Sequence, residues 1–212
     1  MLSFRGVHWI NIIPKAKNGA ITLTKVKLDL NQEGEQSVCM VGDSQLTWLS
    51  GKYTRKKIAE KFEDFRFVGN HSDVFNFPYE ATLLNTTDAV LKTIDGIPLA
   101  DIYIVYIGAH EEGVKNTGFN LTEIIQHFTN LGSKVIWIKP LGYLPLNKQN
   151  TVREMNKASL ELLNTKNVEI IDLSAEIKEP QNYLMEDGIH LNALGHEFLV
   201  DLLYDKLTNP HQ

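Results

Sequence analysis

The sequence contains little of three things that mark common protein classes: cysteine, long apolar runs and clustered positive charge. Cys39 is the only cysteine among 212 residues, so no disulfide forms within the chain, and we expect a small core side chain there. No apolar stretch approaches the ~20 residues that cross a membrane, and the first eight residues lack the apolar core and cleavage site of a signal peptide. The net charge of −5 includes no block rich in lysine and arginine, which argues against nucleic-acid binding.

Two parts of the chain have different patterns. Residues 7–13 are rich in β-formers, Asn18-Gly19 is a turn signal, and apolar residues alternate with polar ones over 21–30, which predicts a β-hairpin. We therefore divide the chain into residues 1–36, a hairpin with a polar linker, and a main domain over 37–212. An isolated hairpin is marginally stable, so we expect it to pack on the main domain or on another module.

The main domain alternates predicted strands with predicted helices. Its candidate strands are 37–42, 65–69, 101–107, 134–139 and 167–171. Its candidate helices are 53–62, 85–95, 121–131, 148–164 and a last helix that begins near Asn192. Strands that are separated by helices predict an α/β fold, in which a parallel sheet is covered on both faces.

The first of these strands ends in Gly42-Asp43-Ser44, directly before a helical pattern. A serine at such a turn presents its hydroxyl at the carboxyl edge of the sheet, where open α/β sheets bind their ligands. The three residues alone are weak evidence, because they also occur in ordinary turns.

A second motif, from Asp187 to Asn192, follows the last strand and precedes the last helix. The spacing of Asp187 and His190 lets a single turn bring the carboxylate beside the imidazole. The carboxylate then fixes the tautomer, and the other ring nitrogen is free to take a proton from Ser44. In the alternative interpretation, Asp187-Gly188 is only a turn and His190 only caps the helix. We predict a catalytic triad of Ser44, Asp187 and His190.

Both motifs resemble conserved blocks of the SGNH (GDSL-type) hydrolase family. The resemblance rests on Gly42-Asp43-Ser44 and on Asp187-Gly188-Ile189-His190-Leu191-Asn192-Ala193-Leu194-Gly195-His196. It implies a three-layer α/β/α sandwich with a flavodoxin-like strand order of 2-1-3-4-5. It also implies a serine esterase or acyltransferase that needs no cofactor and no metal. In such an enzyme Ser44 is the nucleophile, His190 the general base and Asp187 its orienting partner, and the backbone amide of Ser44 is one oxyanion donor.

Two blocks depart from the family pattern. The family has Gly-x-Asn-Asp after the third strand, where this chain has Gly108-Ala109-His110-Glu111. A histidine can donate a hydrogen bond, so we expect His110 to replace the asparagine in the oxyanion hole. The alternative is a loop histidine that points elsewhere, with Glu111 solvated beside it. The family also has an oxyanion-hole glycine near position 84; Leu84 stands there, and Gly69 is the fallback.

Three further candidates carry less weight. Trp48 and Gly108 are candidate substrate-binding residues. His71 and Asp73 are spaced like a metal pair, but no third ligand accompanies them at a recognisable spacing, so a polar loop is the preferred interpretation.

The family resemblance implies the functions that we weigh. The favoured one is removal of a small acyl group, an acetyl, from a carbohydrate, because the strand that ends at Gly69 and the loop after it resemble carbohydrate esterases more than lipases. The alternatives are an O-acyltransferase with a sugar hydroxyl as acceptor and an inactive glycan-binding module. The expected partner is a small acyl ester or an acetylated glycan. The N-terminal strands resemble the end of a module that precedes such esterases in modular proteins, including phage tail proteins, which implies a larger assembly.

Overall fold

The computed structural model describes residues 7–12, 24–29, 36–47, 49–111, 114–141 and 149–208. The chain forms two compact units, Met1–Glu35 and Gln36–Gln212. In the first unit, β1 (Val7–Ile12) pairs antiparallel with β2 (Thr24–Asp29) in continuous register. The predicted Asn18-Gly19 turn lies outside the described residues. None of the described helices has both the length and the apolar character to cross a membrane.

The second unit is built on one largely parallel sheet. Its strands are β3 (Gln36–Gly42), β4 (Phe65–Val68), β5 (His71–Ser72), β6 (Pro78–Ala81), β7 (Ile102–Tyr106), β8 (Lys134–Lys139) and β9 (Val168–Asp172). They lie in the order β5-β6-β3-β7-β8-β9, and β4 also pairs with β3. The five predicted strands correspond to β3, β4, β7, β8 and β9, so the predicted order 2-1-3-4-5 is confirmed.

The sheet differs from the prediction next to β3. There β4 pairs with residues 36–39 of β3, and β6 pairs with Val41 and Gly42 further along the same strand. We expected a loop where β6 lies, so that expectation was wrong. Gly69 explains how β6 replaces β4 as the neighbour of β3. A Cβ on this residue would lie 2.3 Å from the carbonyl carbon of Tyr79. This close approach of two backbones lets β6 continue the sheet where β4 ends.

Helices cover both faces of the sheet. They are α1 (Ser44–Thr47), α2 (Leu49–Lys61), α3 (Thr87–Thr93), α4 (Thr117–Asn130), α5 (Gln149–Leu162), α6 (Leu173–Glu176) and α7 (Ala193–Thr208). Successive residues of β3 enter opposite cores, as the two-residue period of a strand requires. Met40 packs with Ile58 and Leu199 on one face, whereas Cys39 packs on the other face with the core that holds Ile124.

This architecture brings distant parts of the chain to one edge of the sheet. Strands β3 and β7 pair in parallel, with Gly42 opposite Tyr106, so the turns that follow them lie side by side. The segment that ends with His190 reaches the same edge just before α7 begins.

Candidate active site

Ser44 lies at a tight turn between β3 and α1. The turn needs glycine at position 42, because a Cβ there would lie 2.1 Å from the carbonyl oxygen of Tyr106 and 2.8 Å from a methyl of Leu46. Asp43 stabilises the turn, because its Oδ1 accepts a hydrogen bond of 3.0 Å from the backbone amide of Gln45. Ser44 is the first residue of α1 and its side chain is buried.

The structure brings Ser44, His190 and Asp187 into one hydrogen-bonded chain. The Oγ of Ser44 lies 2.8 Å from Nε2 of His190, and Nδ1 of His190 lies 2.6 Å from Oδ2 of Asp187. Only 8% of His190 is exposed. This geometry allows His190 to accept the proton of Ser44 while Asp187 holds the imidazole in the required tautomer.

Asp187 is held by its own turn. Its Oδ1 accepts hydrogen bonds from the backbone amides of Ile189 at 2.8 Å and His190 at 2.9 Å, and Gly188 between them has a φ of 68°. Partial burial raises the pKa of the Asp187 carboxyl, but the hydrogen bonds from His190 and Ile189 outweigh it, so the pKa lies below its usual value. The carboxylate is therefore in the charged form that supports an imidazolium.

Gln45 joins the two halves of the site, a role that the sequence analysis missed. Its side-chain amide donates to the carbonyl of Ile189 at 2.8 Å and accepts from the amide of Leu191 at 3.4 Å. These bonds hold the backbone on both sides of His190 against the residue that follows Ser44. No local pattern could have revealed them, because Gln45 and Ile189 are 144 positions apart.

A second imidazole approaches the same hydroxyl. Nε2 of His110 lies 2.9 Å from Oγ of Ser44. In the arrangement that lets His190 act as base, Ser44 donates its single hydroxyl hydrogen to Nε2 of His190, and Nδ1 of His190 donates to Asp187. In that arrangement His110 carries a hydrogen on Nε2 and donates it to Ser44.

The loop that carries His110 is tied to the serine turn by Asp43. Oδ2 of Asp43 accepts hydrogen bonds of 3.0 Å from the amides of both Gly108 and Ala109. Burial raises the pKa of the fully buried Asp43 carboxyl, against the lowering effect of these amides and of His110. At Gly108 φ is 131°, and a Cβ there would lie 1.9 Å from Cε of Met155, so the loop has this course only with glycine.

Glu111 follows His110 and is buried, which contradicts the alternative interpretation, in which Glu111 is solvated. One carboxylate oxygen accepts from the backbone amide of Thr87 at 2.7 Å. The other accepts from the hydroxyls of Thr87 at 2.8 Å and Thr117 at 3.3 Å. Burial raises the pKa of Glu111 although these hydrogen bonds lower it.

The remaining oxyanion candidates lie in the next strand and loop. The side chain of Leu84 is exposed, and Gly69 lies against the backbone of Tyr79, which accounts for glycine there without a catalytic role. Near Leu84, the side-chain amide of Asn85 donates to the carbonyl of Gly42 at 3.1 Å and so ties this loop to the serine turn. Both oxyanion assignments stay predictions.

The other predicted positions have separate outcomes. Trp48 lies outside the described residues. Asp73 pairs with the buried Arg55 at 2.7 Å and accepts backbone hydrogen bonds from Phe75 and Phe77, so it caps a turn. Over the part of the chain that the structure describes, no three histidine, cysteine, aspartate or glutamate side chains form a group that could hold a metal ion.

A third histidine of the region, His196, lies in α7 and is buried. Its Nδ1 shares a hydrogen bond of 2.5 Å with the hydroxyl of Thr54. Burial, and to a smaller extent the neighbouring His190, lower the pKa of His196 to about 3, against the raising effect of a hydrogen bond with the backbone of Leu191. His196 is therefore neutral at physiological pH, and it joins α7 to α2.

Comparison with known proteins shows which solved structures share this fold. No known protein-family model and no curated protein matches the chain. Solved structures do match. The family 3 carbohydrate esterase of Clostridium thermocellum superimposes with a TM-score of 0.68 at 17% identity, over 81% of this chain and 94% of that one. A variant of an acetyl esterase with an acetate ion gives 0.62 at 18% identity, over 81% and 96%.

A third solved structure extends this likeness. A catalytic variant of an acetylxylan esterase from Geobacillus stearothermophilus gives a TM-score of 0.63 at 13% identity, over 82% of this chain and 95% of that one. At these identities the likeness concerns the fold, which has a parallel sheet between two helical layers and Ser44 after the first strand of that sheet. The chain therefore has the fold of the SGNH hydrolases.

Proposed function

We propose that the protein is a carboxylic ester hydrolase that removes an acetyl group from a carbohydrate through an acyl-enzyme on Ser44. The observation that carries the proposal is the hydrogen-bonded chain from Ser44 through His190 to Asp187, with distances of 2.8 and 2.6 Å. A serine hydroxyl becomes an effective nucleophile when a correctly oriented base takes its proton.

The reaction proceeds in two halves. Ser44 Oγ attacks the ester carbonyl while its proton moves to Nε2 of His190, and the imidazolium is stabilised by Asp187. The tetrahedral intermediate collapses, and His190 gives its proton to the leaving sugar oxygen. Water then attacks the acetyl-serine, again with His190 as base, which releases acetate and restores the hydroxyl.

Two donors stabilise the oxyanion in both halves. The backbone amide of Ser44 is at the first position of α1, where no carbonyl of the same helix is available to it. His110 supplies the second donor, because its Nε2 already lies 2.9 Å from Ser44 Oγ in the free protein. When the intermediate forms, this hydrogen bond moves to the oxyanion, which lies two bonds from Ser44 Oγ, on the carbon that Oγ has attacked. Leu84 and Gly69 are candidates for a third donor.

The choice of an acetylated glycan as substrate has separate support. Three of the matched structures belong to a carbohydrate esterase, an acetyl esterase and an acetylxylan esterase. Trp48, as a substrate-binding residue, and a larger assembly built through β1 and β2 belong to the same proposal.

Acetate release tests the function. The wild-type protein should release acetate from p-nitrophenyl acetate and from acetylated xylan, and Ser44→Ala should abolish both activities. Ser133→Ala is the matched control, since Ser133 is also buried but precedes β8 at the opposite edge of the sheet. A folded wild-type protein that is inactive on acetyl esters and acetylated glycans rejects the proposal. Acetyl transfer to an added sugar, instead of acetate release, identifies an O-acyltransferase.

A further inference from the structure

Glu111 is a buried carboxylate that the reaction above does not use. Only 2% of it is exposed, and its partners among the described residues are neutral: one backbone amide and two threonine hydroxyls. Burial of a carboxylate without a cation costs free energy, so its hydrogen bonds must do something that an apolar residue would not do.

The partners of Glu111 lie at the starts of two helices. Thr87 is the first residue of α3, and Thr117 is the first residue of α4. The side-chain amide of Asn120 lies 3.5 Å from the Thr87 hydroxyl and supplies it with a donor, so that hydroxyl donates its own hydrogen to Glu111. The network therefore has a defined direction that ends on the carboxylate, and it fixes the loop after β7 to both helices.

His110 lies between two residues whose hydrogen bonds fix the loop, Asp43 and Glu111. On one side, Asp43 holds the amides of Gly108 and Ala109; on the other, Glu111 holds the helix starts. Between them the imidazole reaches Ser44 Oγ at 2.9 Å. The position of a histidine ring at the tip of a loop depends on how firmly the backbone of that loop is held. A shift of ~1 Å in a catalytic group can cost ~10²-fold in rate.

We propose that Glu111 is a positioning residue, which acts through His110 by fixing the loop that aims its Nε2 hydrogen at the oxyanion. The inference rests on the proposed function, because the aim of His110 matters to the reaction only if Ser44 is the nucleophile. Glu111→Gln keeps the size but replaces one acceptor by an amide donor, which then faces hydroxyls that donate. We expect kcat to fall ~10-fold with a smaller change in KM, because the bond concerned strengthens in the transition state.

A double-mutant cycle separates positioning from folding. The proteins are wild type, His110→Ala, Glu111→Gln and the double variant, with Glu123→Gln as a control on the exposed face of α4. Two readouts are taken: kcat on p-nitrophenyl acetate, and the rate at which a fluorophosphonate phosphonylates Ser44 with loss of fluoride. The second readout needs no knowledge of the natural substrate. If Glu111 acts through His110, Glu111→Gln slows both in the wild-type background but changes them less than ~2-fold in the His110→Ala background.

Each result has a defined meaning. The Glu111 inference is overturned if Glu111→Gln has equal effects in the wild-type and His110→Ala backgrounds. It is also overturned if the wild type is active and Glu111→Gln does not slow it. Both results leave the proposed function standing. A wild type that neither hydrolyses acetyl esters nor reacts with the fluorophosphonate overturns both. If Glu111→Gln does not fold, Thr117→Val takes its place in the cycle, since it removes one donor to Glu111 and keeps the carboxylate.

Discussion

Replacement of His110 by alanine removes one of the two imidazoles at Ser44 and leaves the other in place. Ser44 and His190 keep their 2.8 Å contact, and Asp187 still holds His190, so the proposed attack on the ester carbonyl stays possible. What is lost is the donor 2.9 Å from Ser44 Oγ. Loss of one oxyanion donor typically costs ~10²–10³ in kcat, or ~2.7–4 kcal/mol.

The surroundings of His110 decide where in that range the loss falls. The residue is half-buried, so water can occupy the space of the removed ring and replace part of the hydrogen bond. We therefore expect the lower end, a decrease of ~10² in kcat with KM changed by less than ~3-fold. His110→Asn should recover part of this loss, because the amide is also a donor although it reaches less far.

Steady-state kinetics on p-nitrophenyl acetate measure this prediction. His127→Ala is the control, since His127 contacts the ring of Phe128 in α4 and should leave kcat unchanged. A His110→Ala variant with wild-type turnover would remove His110 from the oxyanion hole and refute the reasoning.

Three further outcomes are expected. Gly108→Ala should lower the free energy of unfolding in urea by ~1–3 kcal/mol, because its φ is 131° and the new Cβ meets Met155; equal stability would contradict the strain. His196 has a pKa of about 3 when folded, below the ~6.5 of the unfolded chain, so its contribution to stability is complete above pH ~6.5 and falls by up to ~1.4 kcal/mol per pH unit on acidification. His196→Gln should therefore lose less stability than wild type between pH 7 and 5. Equal losses of unfolding free energy in the two proteins over this range would contradict the role of His196. Asp187→Asn should reduce kcat by as much as ~10⁴ through the wrong tautomer of His190, and a loss under ~10-fold would count against Asp187 as its orienting partner.

The parts of the fold that could be predicted are those that local pattern encodes. The apolar run before Gly42 indicates a buried parallel strand, and the alternation of strands with helices predicts the fold class, whereas the strand order is implied only by the resemblance to the SGNH hydrolases. Strand β6 escaped prediction because Pro78–Ala81 is short and has no apolar alternation. It joins the sheet through only two residues of β3, Val41 and Gly42.

The residues of the site also fall into those that a local motif reveals and those that only the fold reveals. Ser44 and the Asp187–His190 turn are recognisable, because each is a short motif whose residue types and spacing carry the chemistry. Gln45 and Glu111 were not recognisable as supports, since their partners are remote: Gln45 reaches a residue 144 positions away, and Glu111 reaches Thr87 across 24 positions. A glutamate beside another glutamate in a loop suggests solvent, and only the folded chain places the threonines around it.

Detection of the acyl-enzyme tests the central claim most directly. The protein is mixed with p-nitrophenyl acetate, quenched in acid within the first turnover and digested, and the peptide that contains Ser44 is examined by mass spectrometry. We predict a gain of one acetyl group on Ser44 in the wild type, strongly reduced in His190→Ala, because His190 is also the base for acylation, and absent from Ser44→Ala. Acetate release from an active wild type with no acetyl group on Ser44, or with the acetyl group on another residue, would contradict the account.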